Sequence, residues 1–138
     1  MVNLYDMLKQ DHKNVKQMLD QTITNKDPSQ FPKLKKELEI HMMGEEKFFY
    51  PKLMSGDKEL ALESYEEHHV GKLVLDELDN TNRSNEVWIP KVKVLKDIID
   101  HHIQEEESEV FPDAQDIMDK NEEEEVARQI ESFKQERM

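Results

Sequence analysis

The sequence repeats itself once, and the repeat limits what the chain can fold into. Residues 41–51 read HMMGEEKFFYP and residues 102–112 read HIQEEESEVFP, an offset of 61 residues, each with a His, a Glu four places on and a closing Pro. A looser pair, Asp11-His12 and Glu67-His68, lies at an offset of 56. Self-similarity at a fixed spacing marks a supersecondary unit used twice. The chain therefore reads as two helix pairs, each carrying an acid-His dipeptide on its first helix and a His-x-x-x-Glu on its second. The difference between the two offsets places the longer loop between helices three and four.

Apolar periodicity agrees with this plan. Residues recur at helical spacing over about 4–24, 29–50, 58–78 and 86–110, separated by polar or Pro/Gly punctuation. Ser29 is a candidate cap for the second helix. Pro51 and Pro112, which lack an amide donor, are expected to stop or kink theirs, whereas Pro90 is tolerated in a first turn. A weaker fifth helix is expected over about 122–135, with Asn121 as cap and Glu124 closing a capping box. Its face of Val126, Ile130 and Phe133 either folds back on the bundle or meets another subunit, which leaves monomer and homodimer both open. With only 3 Gly and 5 Pro in 138 residues, tight hairpins are scarce. The expected fold is all-α: an antiparallel up-down four-helix bundle over residues 1–120 with a short helical extension over 121–138. One core suffices at this length.

Composition narrows the chemistry. The formal charge of -13, from 32 acidic and 19 basic side chains, repels phosphate backbones and anionic lipid, so neither nucleic acid nor membrane is an expected partner. The opening MVNLYDMLKQDHK lacks a signal-like apolar stretch, and no segment approaches the ~20 apolar residues of a span, which points to a cytoplasmic setting. With no Cys, thiolate sites, iron-sulfur clusters and disulfides are excluded, and a metal must be held by nitrogen and oxygen.

The inward faces supply those atoms. The stripe Phe31, Leu34, Leu38, His41, Glu45, Phe48 on helix two is apolar apart from one His and one Glu, and so is Trp88, Val92, Leu95, Ile99, His102, Glu106, Val110 on helix four. His41 with Glu45 and His102 with Glu106 are coordinating pairs, because residues four apart share a helix face. Polar groups in such stripes must be paired or ligated. Helix one adds His12, between Leu8 and Val15. Helix three offers His68 or His69: Glu67-His68 repeats Asp11-His12 and favours the former, and His69 stays open. The same test places His101, Glu46 and Glu105 off the core, and assigns the acidic runs 105–107 and 122–125, Glu106 excepted, to solvated faces. A single inward His is usually a hydrogen-bonded core residue, but four, two of them with Glu at the fourth position, match the way bundles hold two metals. If both carboxylates bridge, each metal receives two His and two Glu bonds and keeps about two positions open. Two dications outweigh two carboxylates, so an oxo or hydroxo bridge is natural. Tyr5, Tyr50 and Tyr65 can donate to a metal-bound oxygen, although packing is the commoner role for a tyrosine, and Phe48, Phe49 and Phe111 read as packing beside the site.

Across roughly residues 4–115 the chain resembles the hemerythrin-like, HHE cation-binding domain family. The resemblance is carried by DHKNVKQML at His12, HMMGEEKFFYP at His41, EHHVGKL at His68 and HIQEEESEVFP at His102. It implies a non-haem di-iron centre whose ligand positions fall on His12, His41, Glu45, His68, His102 and Glu106. Oxygen carriers of the family also have His-x-x-x-His on helix three, whereas here Lys72 follows His68 and Leu73 follows His69. That departure weighs against simple reversible oxygen carriage. The expected ligand is a diatomic molecule or peroxide, with sensing, storage or detoxification as the role, and a small di-iron oxidase or peroxidase as the enzyme alternative. Ligand type alone does not choose among divalent metals, so zinc or manganese remains a possible occupant of a plain metal-handling module.

Overall fold

The structure, a computed structural model, describes residues 3–138. Asn3 caps the first helix, its side chain accepting from the amides of Tyr5 and Asp6. Helix α1 spans Leu4–Asn25 and stops where Lys26 turns to φ 50°, which returns two amides to the carbonyls of Ile23 and Thr22. A 3-10 turn at Pro28–Gln30 leads into α2, Phe31–Gly44. Asp27, rather than Ser29, caps that turn by accepting from the Ser29 amide.

Pro51 and Pro112 do not stop their helices. α2 runs through a π turn, Glu45–Phe49, into α3, Tyr50–Gly56. Likewise α5, Trp88–Glu105, runs through a π turn, Glu106–Val110, into α6, Phe111–Ile117. A helical Pro loses one amide bond, and its ring strikes the carbonyl four residues back. The wider turn absorbs both problems: the amide of Tyr50 bonds the Glu45 carbonyl and that of Phe111 bonds the Glu106 carbonyl, so each rod continues with its Pro at the start of the next α segment. The extra residue shifts the buried stripe by one place. Phe49 and Tyr50 are fully buried and Phe48 only half-buried, the reverse of the expected Phe48 position.

Asp57 caps α4, Lys58–Asp79. The next helix begins at Trp88 rather than near residue 86, because Asn82 and Asn85 use their side chains to hold turns, with Pro90 inside the first helical turn. The last helix, α7, spans Lys120–Arg137 and its capping box is Asp119 with Glu122, not Asn121 with Glu124. α7 folds back on the bundle: Val126, Ala127, Ile130 and Phe133 are buried, with Ile130 and Phe133 packed over Gly44 of α2. The chain is thus all-helical among its described residues, four antiparallel rods with α7 laid against α1 and α2. Among these residues no helix is long and apolar enough to cross a membrane.

Burial of side chains, at about 1.5–3 kcal/mol for each fully covered Leu, Ile or Phe, drives the assembly. It occurs in two separate clusters. One gathers Leu4, Leu8, Phe49, Tyr50, Leu53, Val110 and Phe111, and the other Leu19, Phe31, Leu34, Leu75, Leu78, Trp88 and Leu95. Between them, at the same level on all four rods, lies a layer of buried polar groups.

Candidate metal centre

That layer contains His12, His41, Glu45, His68, His102 and Glu106, none more than 6 % exposed. The structure brings all six expected residues together, two from each π-turn rod and one each from α1 and α4. His69, the alternative on α4, is exposed, and its row mates Leu62 and Leu73 are 47 % and 55 % exposed. α4 turns the row of Ala61, Ser64, His68, Gly71 and Leu75 inward instead.

Nε2 of His12 lies 3.0 Å from Glu106 Oε1, His41 Nε2 lies 3.1 Å from Glu45 Oε1, His68 Nε2 lies 3.3 Å from that same oxygen, and His102 Nε2 lies 3.2 Å from Glu106 Oε2. The donor atoms form two groups, His12-His41-Glu45-Glu106 and Glu45-His68-His102-Glu106, within which all lie inside 4.8 Å of one another. Both groups share both carboxylates. Octahedral bonds of about 2.1 Å put neighbouring donors about 3 Å apart, which is the spacing found here. Nε2 of His41 and Oε2 of Glu45 are buried with no hydrogen-bond partner, so the donor set is incomplete by itself and fits cations.

Each imidazole is anchored through its other nitrogen. Nδ1 of His12 meets Glu107 at 2.7 Å, His41 meets Asp11 at 3.0 Å, His68 meets Glu46 at 3.0 Å and His102 meets Glu67 at 2.6 Å. A carboxylate on Nδ1 fixes the proton there and turns the Nε2 lone pair inward, the usual support for a metal-binding His. The acid-His dipeptides acquire a purpose from this pattern: Asp11, beside His12, serves His41, and Glu67, beside His68, serves His102. Glu46 and Glu107, which follow the inward Glu residues, serve the remaining two rings. Glu107 is therefore more than the solvated acid that its place in an acidic run suggested: it keeps 36 % of its side chain exposed while bonding His12. Lys72, four residues after His68, reaches Glu46 at 2.8 Å and pins it in place.

Charge in the metal-free layer is balanced by protons. Glu45 is pushed up to about 8, by burial first and then by the charge of Glu106. Burial alone would raise Glu106 too, but Glu45, His102 and His12 hold it well below the usual carboxylate range. His102 is raised well above an ordinary imidazole, since Glu106 and Glu67 outweigh the burial that would lower it. For Asp11, bonds from His41 and Lys134 overcome burial and hold the carboxyl low. Cations entering the layer take over the role of these protons.

The repeat is broken at one place that matters. Position 50 is a tyrosine, and its partner at position 111 is a phenylalanine. The Tyr50 hydroxyl lies inside the layer, donating to Glu106, with His68 Nε2 at 3.1 Å and His102 Nε2 at 3.4 Å. Burial, then the charges of Glu106 and Glu45, raise it well above a normal phenol, so it keeps its proton. Phe111 instead stacks on His12, with ring planes 6° apart. On the other side of the layer is a cavity of about 10 Å³ bounded by the four His and Glu67 together with Val15, Leu38, Met42, Ile99 and Ile103. That is room for one water-sized molecule against an apolar wall.

The hemerythrin HHE cation binding domain family matches residues 3–114. The chain belongs to that family. A solved structure of a hemerythrin HHE cation binding domain-containing protein from Mycobacterium kansasii superposes with a TM-score of 0.81 at 27 % identity, covering 99 % of this chain and 88 % of that one. A curated relative from Nostoc sp., named as a DNA nickase, is 28 % identical over 118 residues. That match takes in 80 % of this chain but only 33 % of the relative, so the chain spans about a third of that protein's length. The family and the buried His/Glu layer together make this HHE domain a cation-binding one.

Proposed function

We infer that the chain holds a pair of iron ions between its two helix pairs and uses them to engage oxygen, peroxide or nitric oxide, in sensing, storage or detoxification. The observation that carries this reading is the convergence of four anchored imidazoles and two shared carboxylates beside a cavity sized for one small molecule. His12 and His41 would hold one ion, His68 and His102 the other, with Glu45 and Glu106 common to both. Bound iron would supply redox capacity and open coordination positions. The protein's own groups do the rest: four carboxylates orient the rings, the apolar wall limits water, and Tyr50 holds a proton at its hydroxyl.

Tyr50 supports a second reading, a small oxidase or peroxidase, because a buried O–H among the donor atoms can deliver a proton to oxygen or peroxide as a reductant reduces it. A metal-handling module occupied by zinc or manganese uses the same donors. Loading with ferrous iron under anaerobic conditions, followed by air, separates the three. Oxygen- or peroxide-dependent charge-transfer absorption in stoichiometrically loaded protein is expected; peroxide turnover with a reductant, faster than free iron, would favour the enzyme. A flat spectrum in fully loaded protein, or full zinc and little iron in protein purified without added metal, would overturn the iron reading.

A further inference from the structure

Resting on the two-cation reading above, we propose that α7 is a working part of the centre, and that Lys134 is a positioning residue which completes one of the two metal positions when α7 is docked. Asp11 uses its two oxygens separately. Oδ2 accepts from His41 Nδ1 at 3.0 Å, and Oδ1 accepts from Lys134 Nζ at 2.5 Å. Both residues of the ion pair are largely covered, Asp11 at 13 % and Lys134 at 23 % side-chain exposure. A carboxylate held from both sides cannot swing, so the plane and tilt of the His41 ring are set from a helix outside the four rods.

The other position is built differently. Glu67, which stands to His102 as Asp11 stands to His41, has no lysine; its neighbours are Glu105 and His101. The lysine of that half is Lys72, acting on His68 through Glu46, and it comes from α4, inside the bundle. Of the four carboxylates that anchor the rings, Asp11 is the one α7 holds directly through an ion pair, while α7 also packs on the π turn that carries Glu45 and Glu46. A cleft of about 100 Å³ opens beside the contact, lined by Asp11, Asn14, Glu37, Ile40 and Lys134. If α7 lifted, Asp11 would face open water through this cleft, and His41 would lose its fixed support. The Lys134 contact thereby ties the support of His41, and with it the exchange of one cation, to α7, while the lysine that steadies the other half comes from the four rods.

The test compares Lys134→Met, Lys134→Arg and Lys72→Met in the full chain. In metal-free protein, imidazole nitrogen NMR should show the His41 resonances moved by K134M, left near wild type by K134R, and unmoved by K72M, which should act on His68 instead. In metal titrations against a competing chelator, K134M should weaken one of two stepwise affinities by about 3- to 10-fold, less than the 10- to 100-fold typical for a direct partner of a ligand. K134R should restore it. Unmoved His41 signals in K134M, or two affinities lowered equally, would overturn the proposal. A wild-type protein that takes up fewer than two cations would instead sink the reading on which it rests, and the metal-free spectra would still decide whether Lys134 positions His41.

Discussion

Glu45 and Glu106 occupy equivalent places in the repeat, yet replacing each by leucine should change metal-free stability in opposite senses. Glu45 is fully buried, and one of its oxygens has no hydrogen-bond partner. Leaving such a group unsatisfied costs about 1–3 kcal/mol. Its remaining contacts, to His41 at 3.1 Å, His68 at 3.3 Å and Tyr50 at 3.4 Å and to the Glu106 carboxylate, are together worth about 1 kcal/mol net. Glu45→Leu, of similar volume, should therefore be neutral or stabilising by up to about 2 kcal/mol. At this chain length that is an increase in Tm of up to about 8 °C. Glu106 faces the raised imidazole of His102, accepts from Tyr50 and lies 3.0 Å from His12. Glu106→Leu takes from the raised ring of His102 its largest counter-charge, leaving Glu67 on the other nitrogen, and strips Tyr50 of its acceptor, a loss of about 3–5 kcal/mol, or roughly 10–20 °C. Thermal unfolding of the two chelator-treated variants by circular dichroism is the assay, with cation content measured beside it. Both variants should lose cation binding. Equal destabilisation by the two, or an E45L protein that still takes up two cations, would refute the reasoning.

Other outcomes follow from the same layer. In metal-free protein Glu45 rises from an ordinary 4.5 to about 8 and His102 is raised too, so both contribute stability that is complete at low pH and lost as pH rises through their folded values. Tm of the metal-free form should fall between about pH 5 and pH 8, and cations should abolish the slope; a metal-free Tm that climbs over this window would contradict it. Tyr50→Phe keeps the buried ring but removes the proton donor, and under the peroxidase reading it should slow peroxide turnover by about 100-fold at unchanged cation content. Unaltered turnover would leave Tyr50 with packing alone. Gly44→Ala adds a methyl group at ordinary contact distance, 3.5 Å from Ile130, so the helix gains about 0.5–1 kcal/mol and α7 stays docked. Denaturant midpoints should show the gain, and a loss would mean that α7 packs closer than this.

The rods and the inward layer were legible in the sequence because each rests on spacing: 3.6-residue periodicity for the stripes, and a duplicated His-x-x-x-Glu for the layer. His68 over His69 was also legible, through the repeat of an acid before each His. The π turns were not. A proline predicts a missing amide bond, but whether the helix ends or widens depends on packing of Tyr50 and Phe111 against the opposite rods. Misplacing that turn by one residue exchanged Phe48 for Phe49. Glu107 was hidden for a different reason: its bond to His12 spans 95 positions, and nothing local separates it from a solvated acid. Tyr50 did leave a signal, since it is the residue where the repeat puts a hydroxyl opposite Phe111, and a repeat broken at a buried position marks a difference between halves.

The most direct test counts cations. Full-length protein loaded with excess ferrous iron, freed of unbound metal and assayed for iron and protein should hold two ions per chain, falling to about one or fewer in each of the His41→Ala and His102→Ala proteins that remain helical. A single tightly held ion in the wild type, or unchanged content in those variants, would contradict the two-cation layer on which the account depends.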